Sequence, residues 1–174
     1  MSELELKGKT GIVTGASSGI GFQIANVLAE AGAAVYAISR TGAPKEGVGE
    51  SSPGVIHVKG DIGDQAAMKT LLDEITASTG GVLDFLVNNA GATFKCRAEE
   101  FPENQFDHIM DVNVKYVFEM SRLCYPFLKK SQEKGRIHHQ HECPSGLFRG
   151  CSLLYQQGSS PCHDTRSGGR MGRR

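Results

Sequence analysis

The chain has 174 residues, enough for one domain or a domain with a tail, and 39% hydrophobic and 22% charged residues give it a globular composition. Its 19 basic and 19 acidic residues balance, so no global field favours nucleic acid or a membrane surface. No apolar run is long enough to cross a bilayer, the acidic start Met1–Lys7 does not read as a signal peptide, and five cysteines without paired spacing point to a cytoplasmic protein with reduced thiols.

In chain order, Thr10–Thr14 is a short β-rich run ending at Gly15, the pattern of a buried parallel strand. Gly19–Glu30 has helical spacing, with Ile20, Ile24, Val27 and Leu28 on one face and Gly32 as a stop. Ala34–Ser39 is a second strand, residues 41–54 a loop rich in Gly, Pro and Ser, and Val55–Lys59 a third strand. Asp64–Ser78 reads as a helix with Met68, Leu71, Leu72 and Ile75 inward, and Leu83–Val87 as a fourth strand. A long helix is expected from about Pro102 to Lys130, its inward stripe Phe106, Ile109, Met110, Val114, Val117 and Phe118. Strand and helix alternate four times, which predicts an α/β fold: a doubly wound parallel sheet with helices on both faces.

The run Thr14-Gly15-Ala16-Ser17-Ser18-Gly19-Ile20-Gly21 lies between the first strand and the first helix. Glycines there let backbone approach a pyrophosphate, the helix N-terminus offers unpaired N–H groups to an anion, and Ser17 and Ser18 add hydroxyls. A glycine turn that only brings strand and helix close is the alternative, and the strand-loop-helix context argues against it. Asp61 follows the third strand at the carboxyl edge of the sheet, where it can accept from an adenine amino group or cap the next helix. Asn89 stands at the same edge, and a turn role there is compatible with a ligand role. Asn113, on an otherwise apolar stripe, needs hydrogen-bond partners.

The spacing Thr-Gly-x-x-x-Gly-x-Gly resembles the short-chain dehydrogenase/reductase family. So do Asp61-Ile62 after the third strand, Asn88-Asn89-Ala90-Gly91 after the fourth, and Asp111-Val112-Asn113-Val114 on the long helix. The likeness covers residues 5 to 137. It implies a Rossmann-type sheet, incomplete at its C-terminal end, and an oxidoreductase moving hydride between a nicotinamide and a small carbonyl or alcohol substrate. The implied cofactor-binding set is Gly15, Ser17, Ser18, Gly19, Ile20, Gly21, Ser39, Arg40, Asp61, Ile62, Asn89, Ala90 and Gly91. Asn113 would be the catalytic residue present, holding a water in a proton relay. No metal, nucleic acid or membrane is implied, and the parent enzyme is expected to be a homo-oligomer. A preference for NAD usually needs a carboxylate after the second strand; here stand Ser39 and Arg40, which fit the 2′-phosphate of NADP(H) better.

The composition changes near Gly135. Residues 1–134 carry 13 Lys and Arg against 17 Asp and Glu; residues 135–174 carry six against two and only four aliphatics, Ile137, Leu147, Leu153 and Leu154. So poor a segment offsets little ordering entropy, and it is expected to be an aberrant tail after a partial domain of residues 1–134. The family's general acid/base is a tyrosine one turn before a lysine, but Tyr155 has Ser159 four residues on, and no lysine follows Lys134. His138 to Pro144 does not read as a core strand. Shifting the reading frame by one base explains the break. The codon pairs then permit Ser at Glu142–Cys143, Tyr at Leu153–Leu154 and Lys at Gln157–Gly158, and they require Trp at Met171–Gly172. The His138, His139, His141 and Cys143 run matches no zinc spacing, and the arginines from Arg166 to Arg174 lack the aromatics of a nucleic-acid site. The expected product is an enzyme by descent that has lost turnover. The alternatives are a non-catalytic dinucleotide-binding module or a non-functional truncated product.

Overall fold

A computed structural model describes residues 5–131 and the backbone of residues 136–139. Five strands build one parallel sheet: β1 (Thr10–Thr14), β2 (Ala34–Ser39), β3 (Val55–Lys59), β4 (Phe85–Asn88) and β5 (Arg136–His139), in the order β3-β2-β1-β4-β5. The chain winds outward from β1 to β2 and β3, then crosses back to β4. The strand order therefore reverses beside β1, and a crevice opens at the carboxyl ends of β1 and β4.

Burial on both faces explains the near-continuous apolar strands. Successive residues of one strand enter opposite cores: Ile12, Ile38 and Leu86 on one face, Val13, Ala37, Phe85 and Val87 on the other. The first face is covered by α2 (Gln65–Ala77), through Met68, Leu72 and Ile75, and by α4 (Tyr116–Lys130), through Met120, Cys124 and Leu128. The second is covered by α1 (Gly19–Glu30), through Ala25, with Ile24 and Leu28 at its margin. Gly11 of β1 lies directly under the ring of Phe85 on β4, so the absence of a side chain at the centre of the sheet makes room for an aromatic from the next strand. Cys124 is fully enclosed, and burial pushes its thiol up to about 12, so it packs as an apolar group and not as a nucleophile.

The inward face of α2 is as expected, and its N-cap is Asp64, whose side chain accepts from the Ala67 N–H at 3.0 Å. The other two stripes are only in part the buried ones. On α1, Phe22 and Ala25 face the sheet, while Ile20 and Val27 are 48% and 58% exposed. The long helix is helical from 103 to 130 but divides into α3 (Glu103–Met110), a π-helical turn (Asp111–Lys115) and α4. Phe106, Met110, Val114 and Phe118 are all exposed, because only the C-terminal half of this helix lies over the sheet, and it presents a different ridge. Periodicity identifies an apolar face; it does not say which neighbour that face meets.

The sheet also runs past the boundary placed at residue 134. Arg136–His139 pairs with Phe85–Asn88 in parallel register, although His138 and His139 open a run that does not read as a core strand. Ladder bonds are made by backbone, so an end strand can be held with unfavourable side chains. The rest of the expected tail, with Tyr155, Cys143 and the C-terminal arginines, lies outside the described residues.

Candidate active site

The crevice at the switch point opens into a cavity of about 1100 Å³. Its wall brings together Gly15 and Ser17 after β1, Ser39 and Arg40 after β2, Asp61 and Ile62 after β3, and Asn89, Ala90 and Gly91 after β4. Parallel strands make this unavoidable: all their carboxyl ends lie on one edge, so four loops distant in sequence converge there.

Thr14 and Asn89 tie the first of these loops to the last. The Thr14 hydroxyl accepts from the N–H groups of Asn89 and Ala90, both at 3.1 Å, and the Asn89 amide donates to the carbonyls of Thr14 and Gly15 at 3.0 and 3.2 Å. Gly15 has φ +66°, and a Cβ there would lie 2.8 Å from the Cα of Ala90; a Cβ on Gly21 would collide with the Asn89 amide. Both glycines therefore serve close packing. Gly19 is different: it has φ +59°, and a Cβ there would meet nothing within 4 Å. Next to it, Ser18 is the N-cap of α1 but makes no capping bond with its side chain, which leaves that hydroxyl and the first N–H groups of the helix available to an anion. Gly19 and Ile20 lie outside the cavity wall and line a shallow apolar groove with Val27 and Val48.

Ser39 is buried, and its hydroxyl accepts from the Gly42 N–H at 3.1 Å and meets the Thr41 hydroxyl at 3.3 Å. That turn projects Arg40 outward; it is exposed and makes no ion pair among the described residues. Asp61 accepts from the Gly63 N–H at 2.9 Å through Oδ1, and the capping role open to it in the sequence falls to Asp64. Asn113 sits in the π-helical turn. Its amide makes a reciprocal pair with the backbone of Ala92: Oδ1 accepts from the N–H and Nδ2 donates to the carbonyl, both at 2.9 Å. It thus fixes the loop after β4 to the helix.

Two contributors, Thr14 and Asn88, stand in the sequence motifs without a role of their own, and a third, Glu119, lies outside them. Thr14 is the hub of the loop anchor, Asn88 is buried and donates to the Ser121 hydroxyl at 3.2 Å, and Glu119 lines the cavity from α4. Nothing in the spacing singles out Glu119. Among the described residues no group of three or more His, Cys, Asp or Glu could hold a metal ion.

A family model described as short chain dehydrogenase matches residues 9–138. A D-beta-hydroxybutyrate dehydrogenase from Rhizobium meliloti is 37% identical over 129 residues, which are 70% of this chain and 49% of the relative. A 3-oxoacyl-[acyl-carrier-protein] reductase, FabG, from Vibrio cholerae is 37% identical over 139 residues, 77% of this chain and 54% of that one. Of solved structures, the Pseudomonas aeruginosa RhlG/NADP active-site complex aligns at TM-score 0.65 and 27% identity, over 80% of this chain and 56% of its own. A 3-ketoacyl-(acyl-carrier-protein) reductase from Brucella melitensis complexed with NADH aligns at TM-score 0.65 and 35% identity, over 72% and 52%. The chain spans about half the length of the curated relatives it matches.

Proposed function

Since the chain belongs to the short chain dehydrogenase family, we propose that it binds NADP(H) in the cavity at the switch point, and that it descends from an enzyme interconverting a small carbonyl and its alcohol. The bound nicotinamide would supply the hydride chemistry; the protein's part is to bind, orient and exclude water. The open backbone at Gly19 and the uncapped start of α1 suit the diphosphate, Asp61 suits the adenine amino group, and Asn89 and Asn113 hold the floor of the site in place. The Asn113 amide makes one bond at each of its polar atoms to Ala92, which positions the loop after β4 and leaves a second hydrogen and a second lone pair for a relay water.

The choice of NADP(H) over NAD rests on one observation. Arg40 is exposed at the cavity wall next to Ser39, without an ion pair among the described residues, where a carboxylate would repel a 2′-phosphate. Residues 135–174 hold no Tyr-x-x-x-Lys pair, and their codons permit Ser, Tyr and Lys in order when read one base away. We therefore propose that this polypeptide binds the dinucleotide but lacks the proton donor that contributes roughly 10²–10⁴-fold to such reactions.

Calorimetric titration of the chain with NADPH and NADH tests the binding reading. NADPH should bind at least about tenfold more tightly, and Arg40→Ala should abolish the difference, since a charge-assisted bond to phosphate is worth about 1.5–3 kcal/mol. Equal or tighter binding of NADH would reject the cofactor assignment. Carbonyl reduction by this chain, measured alongside one translated from a gene with the frame restored near codon 137, tests the rest: turnover by the unrestored chain would overturn the loss of activity.

A further inference from the structure

Tyr116 opens α4, and its ring packs against the turn after β3. A Cβ on Gly63 would lie 3.1 Å from that ring and 3.3 Å from the Asp61 carboxylate. The start of α4 and the Asp61 turn thus form one corner of the cavity. Glu119, three residues after Tyr116, falls on the same helix face and lines the same cavity. Its Oε2 is closed off from solvent and meets no hydrogen-bond donor. Of the two cations within a turn of it, Arg122 is exposed and Lys115 is turned to Asp111 at 3.6 Å. A carboxylate oxygen withdrawn from water without an N–H partner is unfavourable, and a ligand donor at this corner would relieve it after a turn of the side chain. Asp61 has one oxygen occupied by the Gly63 N–H, which leaves the other for a ligand.

We propose that Glu119 is a specificity-determining residue of this cavity, which with Asp61 accepts both hydrogens of the exocyclic amino group of a 6-aminopurine. A 6-oxopurine would turn lone pairs toward the same two carboxylates and be repelled. The inference deepens the dinucleotide reading and rests on it.

The test is calorimetric binding of NADPH and of its hypoxanthine counterpart, which carries oxygen in place of the amino group, to the full chain and to Glu119→Met and Glu119→Gln. The unmodified chain should prefer the amino form. Glu119→Met should narrow that preference by about tenfold, the value of a hydrogen bond to a charged acceptor, and Glu119→Gln, which keeps one acceptor, should restore part of it. Ligand-free Glu119→Met should melt no lower than the parent, because the oxygen it loses has no partner; a merely structural role would lower the melting point and leave the ligand ratio alone. If NADPH binds and the ratio is the same in all three proteins, the role of Glu119 is wrong and the dinucleotide reading stands. If the unmodified chain binds neither ligand, both are wrong. Should the Met variant fail to fold, the ratio in the Gln variant decides.

Discussion

Burial lowers the pKa of His57, on β3, below the usual 6.5. Its ring stacks on Phe22, with centroids 6.4 Å apart, its Nε2 meets the Ser51 hydroxyl at 2.7 Å, and its Nδ1 is buried without a partner. The neutral form is therefore the one the fold holds. Between the unfolded value near 6.5 and the lower folded value, the unfolded chain binds more protons, so stability present above pH 6.5 is lost as pH falls through that window. Urea midpoints taken at pH 7.5 and 5.5 should drop for the parent and drop less for His57→Phe; an equal drop in both would remove His57 as the cause. At this scale the sequence was legible where a residue's neighbours in the chain determine its job. The glycine loop, Asp61 and Asn89 all come directly after a strand that fixes their place. Asn113 was legible as a polar residue in need of partners, but its partner, the backbone of Ala92, comes from a loop 21 residues away, which no local pattern reveals.

Among the elements, strands read more reliably than helix faces. β2 and β3 are found at the residues expected, since a strand buried on both sides needs only an apolar run. A helix face must be assigned to a neighbour, and there the expected stripe of the long helix came out largely on the wrong side. Beyond the π-helical turn at 111–115, Met120, Cys124 and Leu128 of α4 are the residues that reach the sheet. The expected stripe leaves Phe106, Met110, Val114 and Phe118 in solvent at four-residue intervals, 38–65% exposed.

At the scale of the whole molecule, the described residues form one parallel sheet with β1 at its centre. β1 is flanked on both sides and carries the phosphate loop, while β5 is joined to the sheet by pairing with β4. The alternation of strands and helices gave the architecture directly. The last strand escaped because Arg136–His139 has the composition of the segment after it and the backbone pairing of the segment before. One contact near the centre carries a further consequence. The ring of Phe85 occupies the volume that a side chain at Gly11 would fill, so the two positions, 74 residues apart, hold a single shared space between adjacent strands. Enlarging the first alone should cost roughly 1–3 kcal/mol and shrinking the second alone roughly 3–5 kcal/mol. Exchanged together, Gly11→Val with Phe85→Ala should recover much of that loss, and a thermodynamic cycle of the four proteins that came out additive would show that the space is not shared. Anyone remodelling this sheet inherits that constraint: the two sites can vary only as a pair.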